Sequence, residues 1–235
     1  PGVKIGGEVT RAVLLKSELN YSAQEAATLV TIQKMVSFSS FFLINFFAFA
    51  HISRKVEIFQ GIIVKSLVYL FLITLIAILV LIFISPPWLE EKIANKRPKG
   101  RWSKALQGYM ITLISNIKVL KNIKGELYKQ FLLSLTIWIL FPIKMILLVS
   151  LFTANFDPIF LTEVTFISYM VGMIPLLPGG IGSFEATMTS LLIFMQIKDS
   201  QALAITLLFR FITFWFVILI SLLYTGIWKI GGRKN

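Results

Sequence analysis

Apolar residues gather along this chain into long unbroken runs separated by short polar breaks. Four runs, at about 26–50, 61–85, 131–154 and 202–228, reach the ~20 residues that a helix needs to cross a hydrocarbon core. Barrel strands would read as alternating segments of ~10 residues, so the pattern predicts an all-α, polytopic integral membrane protein. Shorter apolar stretches lie between the spans. Residues 9–19 form one, and residues 159–174 and 184–197 form a pair hinged on Pro175-Leu176-Leu177-Pro178-Gly179-Gly180-Ile181-Gly182. A helix the length of 184–197 reaches only ~21 Å, too short to cross alone. Two such half-helices meeting at a Pro/Gly break predict a re-entrant hairpin, whose non-helical backbone survives at depth when buried in protein or facing a cavity. The alternative is two short tilted spans with a turn outside the membrane.

The hinge is echoed at the start of the chain. With a fixed offset of 177 and no gap, Pro1/Pro178, Gly2/Gly179, Glu8/Glu185, Thr10/Thr187, Leu14/Leu191, Leu15/Leu192, Gln24/Gln201 and Ala27/Ala204 are identical, 8 matches in 27 positions. Paired glycine-broken segments in a hydrophobic protein mark a transporter built from repeats, with its binding site at the breaks. The expected organisation is a single domain over 1–235, with repeat units at about 1–50 and 178–228. Pro1 stands inside a motif, with no Met and no signal peptide, which predicts further helices upstream.

Composition agrees with the pattern. The chain is 57% hydrophobic with only 14% charged residues and a mean hydropathy of +0.83, against about 25% charged in soluble domains. Without Cys it can form no disulfide and no thiolate site. The net charge of +12 would suit nucleic acid if it formed a stripe. Instead ten basic residues crowd into 86–130 (Lys92, Lys96, Arg97, Lys99, Arg101, Lys104, Lys118, Lys121, Lys124 and Lys129) beside spans, and Lys229, Arg233 and Lys234 follow the last one. Topology accounts for that charge, and no nucleic-acid partner is expected. The positive-inside rule makes 86–130 and the C-terminus cytoplasmic and turns the hairpin toward the outside. The two Pro-Gly…Glu segments then fall on opposite sides, so the repeat is expected to be inverted. Within 86–130, Leu106, Tyr109, Met110, Leu113, Ile117, Leu120 and Leu127 recur at helical spacing, which predicts a basic amphipathic helix on the inner leaflet. Each cation near such a surface adds ~1 kcal/mol.

Candidate chemistry sits at the breaks. Glycines let another group approach the backbone, and the following helix aims free N–H groups and its positive dipole end at the gap. Pro1, Gly2, Gly6, Gly7 and Glu8 form one such corner; Pro178, Gly179, Gly180, Gly182 and Glu185 form the other. Both suit an anionic phosphate headgroup. The plainer role for Glu8 and Glu185 is to stabilise the helices they open. Lys34 and Arg210 lie inside spans, where a charge costs ~2.5–3.5 kcal/mol on insertion scales and so calls for a partner. Glu185 suits Arg210; Glu8 suits Lys34 or Arg11. Thr206, Arg210, Thr213, Ser221 and Tyr224 form one helical stripe, and Gln24, Thr28, Thr31 and Lys34 another. A structural ion pair is the competing role. Ser22-Ala23-Gln24-Glu25 reads as a capping box, and Asp199 as the cap of the equivalent helix. No metal cluster, cofactor motif or catalytic constellation is visible, so no enzyme is expected.

Gly6-Gly7-Glu8-Val9-Thr10-Arg11 and the run from Pro175 to Glu185 resemble the transmembrane domain of lysylphosphatidylglycerol synthases, which defines a wider flippase-like family. Arg210 matches that family's intramembrane Arg after the second motif. Many members carry Glu-Arg after the first motif, where this chain has Gln33-Lys34. The resemblance implies a multi-pass protein of the cell membrane that moves a phospholipid or polyprenyl-phosphate lipid between leaflets. The alternative it leaves open is a non-transporting partner that presents lipid to a separate glycosyl- or aminoacyl-transferase.

Overall fold

The computed structural model describes residues 13, 22–84, 87–95, 100–122, 125–174 and 178–231. The described residues are helical apart from short connections, with no strand among them. The chain divides into two compact units, Pro1–Leu140 and Phe141–Asn235. Among the described residues, the helices long and apolar enough to span a membrane are Ala23–Lys55, Ile62–Ile84, Glu126–Ser150 and Asp199–Leu223, the four that the apolar runs predict.

In the first unit, α1 (Ala23–Lys55) starts at the expected capping box. The Ser22 hydroxyl accepts from the Glu25 N–H at 3.2 Å, and Glu25 Oε2 accepts from the Ser22 N–H at 2.9 Å. Its 33 residues make ~50 Å, against a hydrocarbon core of ~30 Å, so α1 tilts or projects. A single 3₁₀ turn, Glu57–Phe59, returns the chain into α2 (Ile62–Ile84). Of α2's residues Leu72 alone is buried, which leaves an apolar surface suited to lipid tails.

Two helices follow, α3 (Pro87–Ala94) and α4 (Arg101–Asn122). Gln107 Nε2 donates to the Ile93 carbonyl at 2.7 Å and the Ala94 carbonyl at 3.2 Å, so α4 satisfies the open end of α3. α4 is the expected amphipathic helix, but its apolar face is not left whole for the leaflet. Leu113 and Ile117 pack with Ile32 of α1, and Ile82 and Phe83 at the end of α2 close the cluster with Tyr109. Asn116 Nδ2 donates to Thr28 Oγ1 at 2.6 Å, Tyr109 and Thr31 share a hydroxyl hydrogen bond, and Gly108 lies over Gln24. The Gln24-Thr28-Thr31 part of the stripe is therefore a seat for α4. Leu127 leaves the α4 face, because Gly125 at φ +81° breaks the helix and α5 (Glu126–Ser150) begins there.

α5 starts earlier and ends earlier than the run at 131–154 and carries Pro142 in its interior, just past the boundary between units. The second unit continues with α6 (Pro158–Gly172), α7 (Ser183–Phe194) and α8 (Asp199–Arg210). Asp157 caps α6, its Oδ1 accepting from the Ile159 and Phe160 N–H groups at 2.9 and 3.2 Å. Fifteen residues in α6 and twelve in α7 make ~22 and ~18 Å, each short of a bilayer core. Leu161, Val164, Ile167, Phe184, Met188, Leu192, Ile205 and Phe209 are buried in this unit, where α7 packs against both α6 and α8. Asp199 does not cap α8: Lys198 holds the cap position, Asp199 is the first helical residue, and no side-chain capping bond forms.

The expected span at 202–228 is not one regular helix. A π-turn, Phe211–Trp215, separates α8 from α9 (Phe216–Gly231). A π-turn takes in an extra residue and rotates everything after it. The stripe of buried Thr206 and Arg210 therefore runs only as far as Thr213, which is half-buried and hydrogen-bonded to Tyr169, and is lost by Ser221, which is exposed.

Candidate functional site

The break between α6 and α7 closes on itself before it meets anything else. Pro178–Gly180 form a 3₁₀ turn in which Gly179 and Gly180 have φ of +74° and +70°. A Cβ on Gly180 would overlap the backbone of Gly172, carbonyl oxygen first. A Cβ on Gly172 would in turn stand 3.1 Å from that of Phe184. Glycine is needed at 180 for its left-handed backbone and for this approach of chain to chain.

Glu185 and Arg210 meet at that corner. Glu185 Oε2 accepts from the Gly182 N–H at 2.6 Å, and its Oε1 lies 3.1 Å from Arg210 Nε. Arg210 Nη2 donates to the Gly179 carbonyl. The guanidinium is held between two rings, with Cζ 4.6 Å from the centroids of both Phe184 and Phe214. Around it, Tyr169 lies edge-on to Phe184 at 5.0 Å, and Phe184 stacks on Phe209 at 6.4 Å. The two charged side chains are 7% and 18% exposed for Arg210 and Glu185, so their attraction is little screened. The Nε–Oε1 contact is an ion pair without hydrogen-bond alignment: among the described residues Arg210 Nε has no hydrogen-bond partner.

This arrangement decides what the corner can do. The start of α7 is where an anion binds best, and Glu185 already occupies it. One carboxylate thus serves as helix cap and as counter-ion. Removing either charge alone leaves the other buried and uncompensated, a state that costs several kcal/mol.

Residues 1–221 match the family described as the lysylphosphatidylglycerol synthase TM region. The chain belongs to that family. It is also 24% identical over 238 residues to a "UPF0104 membrane protein" of Methanothermobacter thermautotrophicus, an alignment covering 92% of this chain and 67% of the relative. No solved structure matches it. The chain is thus a membrane domain of the lysylphosphatidylglycerol synthase type.

Of the residues singled out in this family member, Pro178, Gly179, Gly180, Gly182, Glu185 and Arg210 come together in the second unit. Lys34 lies half-buried on α1 in the first unit. Pro1, Gly2, Gly6, Gly7, Glu8 and Arg11 fall outside the described residues, and with them most of the segment 1–27 on which the repeat rests. Sequence reasoning passed over Phe184, Phe214 and Gly172. Phe184 sits inside the hinge motif next to Glu185, and Phe214 is four residues after Arg210, a spacing that could have flagged it as a neighbour. Glu163, which no sequence motif singles out, is 4% exposed within α6.

Proposed function

We propose that this domain moves a lipid with an anionic phosphate headgroup between leaflets, by way of the glycine corner. The observation that carries the reading is the buried Arg210–Glu185 pair at a break between two helices too short to span. A buried ion pair inside an apolar hairpin costs desolvation, and such groups mark substrate paths in membrane proteins. In this reading α6 and α7 form a re-entrant hairpin. The phosphate takes over from Glu185 the hydrogen bond of the Gly182 N–H and the charge of Arg210. Glu185, displaced, is free to meet a cationic part of the same headgroup. When the lipid leaves, the carboxylate returns and the corner closes.

One feature favours a second reading. Arg210 is already served by a carboxylate, a carbonyl and two aromatic faces, as a purely structural pair would be. The domain would then hold or present lipid to a separate transferase without moving it. Transport of labelled phospholipid by full-length protein in liposomes separates the two. Translocation predicts loss of movement in Arg210→Ala and an altered headgroup preference in Glu185→Gln. Wild-type rates in both variants would leave the docking reading in its place.

A further inference from the structure

The apolar face of α4 is covered over only half its length. Tyr109, Leu113 and Ile117 are packed on α1 and the end of α2. One and two turns earlier the same face continues through Leu106 and Trp102, which are 58% and 89% exposed. Met110 beside them is exposed as well. An aromatic and an aliphatic side chain at helical spacing, bare on a helix whose other half is seated, form a surface built to be covered.

Where α4 sits limits what can cover it. It crosses α1 at Gln24–Ile32, in the first turns of that helix, and touches Ile82 and Phe83 in the last turn of α2. Because α1 and α2 form a hairpin, these are its two ends on one side. α4 therefore lies where both spans meet the edge of the hydrocarbon. The charge around the bare half is one-sided. Lys92 and Lys104 are exposed, and Lys96, Arg97, Lys99 and Arg101 stand between them in sequence, six cations against the two acids at that end, Glu90 and Glu91. Tryptophan over an apolar ridge with cations alongside is the make-up of a helix that rests at headgroup level on anionic lipid.

We infer that the first half of α4 is a membrane-contact surface, which inserts Trp102 and Leu106 at the acyl–headgroup boundary and draws anionic phospholipid to that end of the α1–α2 hairpin. The occupant is the lipid surface. A second copy of the chain or a soluble partner would have to cover an apolar ridge flanked by cations at membrane level, which suits neither as well. This inference concerns the first unit and does not depend on the Arg210 corner or on lipid translocation.

This chain has no cysteine, so single-cysteine variants take one spin label each once any cysteine elsewhere in the full-length protein is replaced by serine. Trp102→Cys and Leu106→Cys report on the ridge; Ser115→Cys, exposed on the opposite face of α4, is the control. The full-length protein is reconstituted in phosphatidylcholine vesicles with and without phosphatidylglycerol, and accessibility to oxygen and to an aqueous nickel chelate is read by electron paramagnetic resonance. The expected result is that labels at 102 and 106 lose nickel accessibility and gain oxygen accessibility, more so with phosphatidylglycerol, while 115 stays open to nickel. High salt should reverse the phosphatidylglycerol increment. Nickel accessibility at 102 and 106 equal to that at 115 in both lipids would overturn the inference. So would label–label dipolar broadening at 102 that is the same in detergent and in both vesicles, which would assign the ridge to a second copy.

Discussion

Two helix crossings in this molecule are made from opposite chemistry. α4 meets α1 through an apolar cluster and neutral hydrogen bonds: Asn116 to Thr28, Tyr109 to Thr31. The α6–α7 corner meets α8 through a buried ion pair, a carbonyl and two aromatic faces. The first kind of contact degrades gradually, since each neutral bond contributes about 1 kcal/mol net and its partner often keeps another. Thr28, for example, also donates to the Glu25 carbonyl at 2.9 Å. The second kind is all or nothing, because a lone buried charge is worse than no charge. A region that has only to stay assembled needs no such pair. Under the proposed function, the corner must let its counter-ion go and take it back, and such a pair suits that task.

That contrast can be broken by mutation. Arg210→Met should have the largest effect, destabilising the second unit by about 3–5 kcal/mol through the stranded Glu185. Detergent unfolding followed by circular dichroism checks it, and Arg210→Met/Glu185→Gln should recover most of the loss. A double variant as unstable as the single one would mean that the pair's value lies in packing rather than in charge. Gly180→Ala comes next, at roughly 3 kcal/mol. A left-handed non-glycine residue costs 1–3 kcal/mol, and the new Cβ also meets the Gly172 backbone. Gly61→Ala, with nothing nearer than Val64 Cγ2 at 4.0 Å, is the matched control and should change stability by no more than about 0.5 kcal/mol. Asn116→Ala should be the mildest of the three lesions, about 1 kcal/mol, since Thr28 keeps its bond to Glu25. Were Asn116→Ala to match Arg210→Met in the same assay, the division between a graded and an all-or-nothing crossing would fail.

What could be read in advance follows the same division. The four spans, the capping box at Ser22 and Glu25, and the apolar face of α4 are local patterns, and periodicity reports them directly. The glycine corner and its pairing with Arg210 were also visible, because a buried cation requires an acid and Glu185 is the acid in that motif. What the corner does with its glycines was not visible. Nothing local says that Gly180 is spent on the backbone of Gly172 instead of on a ligand, since that contact joins residues across a hairpin. The π-turn after Arg210 escaped for a related reason. Phe211–Trp215 is as apolar and as helical in composition as its neighbours, and the insertion changes direction without changing pattern. The seat of α4 was missed because amphipathicity states that a face will be covered and leaves open what covers it.

The central claim is that Arg210 and Glu185 form an exchangeable pair and not a rivet. Arg210→Met/Glu185→Gln tests it most directly, since it removes both charges while keeping side-chain volume. Movement of a fluorescent phospholipid is followed by dithionite quenching in liposomes holding full-length wild type or the double variant, with folding confirmed by circular dichroism. The account predicts that the double variant folds and moves no lipid above empty liposomes. A folded double variant that moves lipid at the wild-type rate would contradict it and reduce the pair to a structural contact.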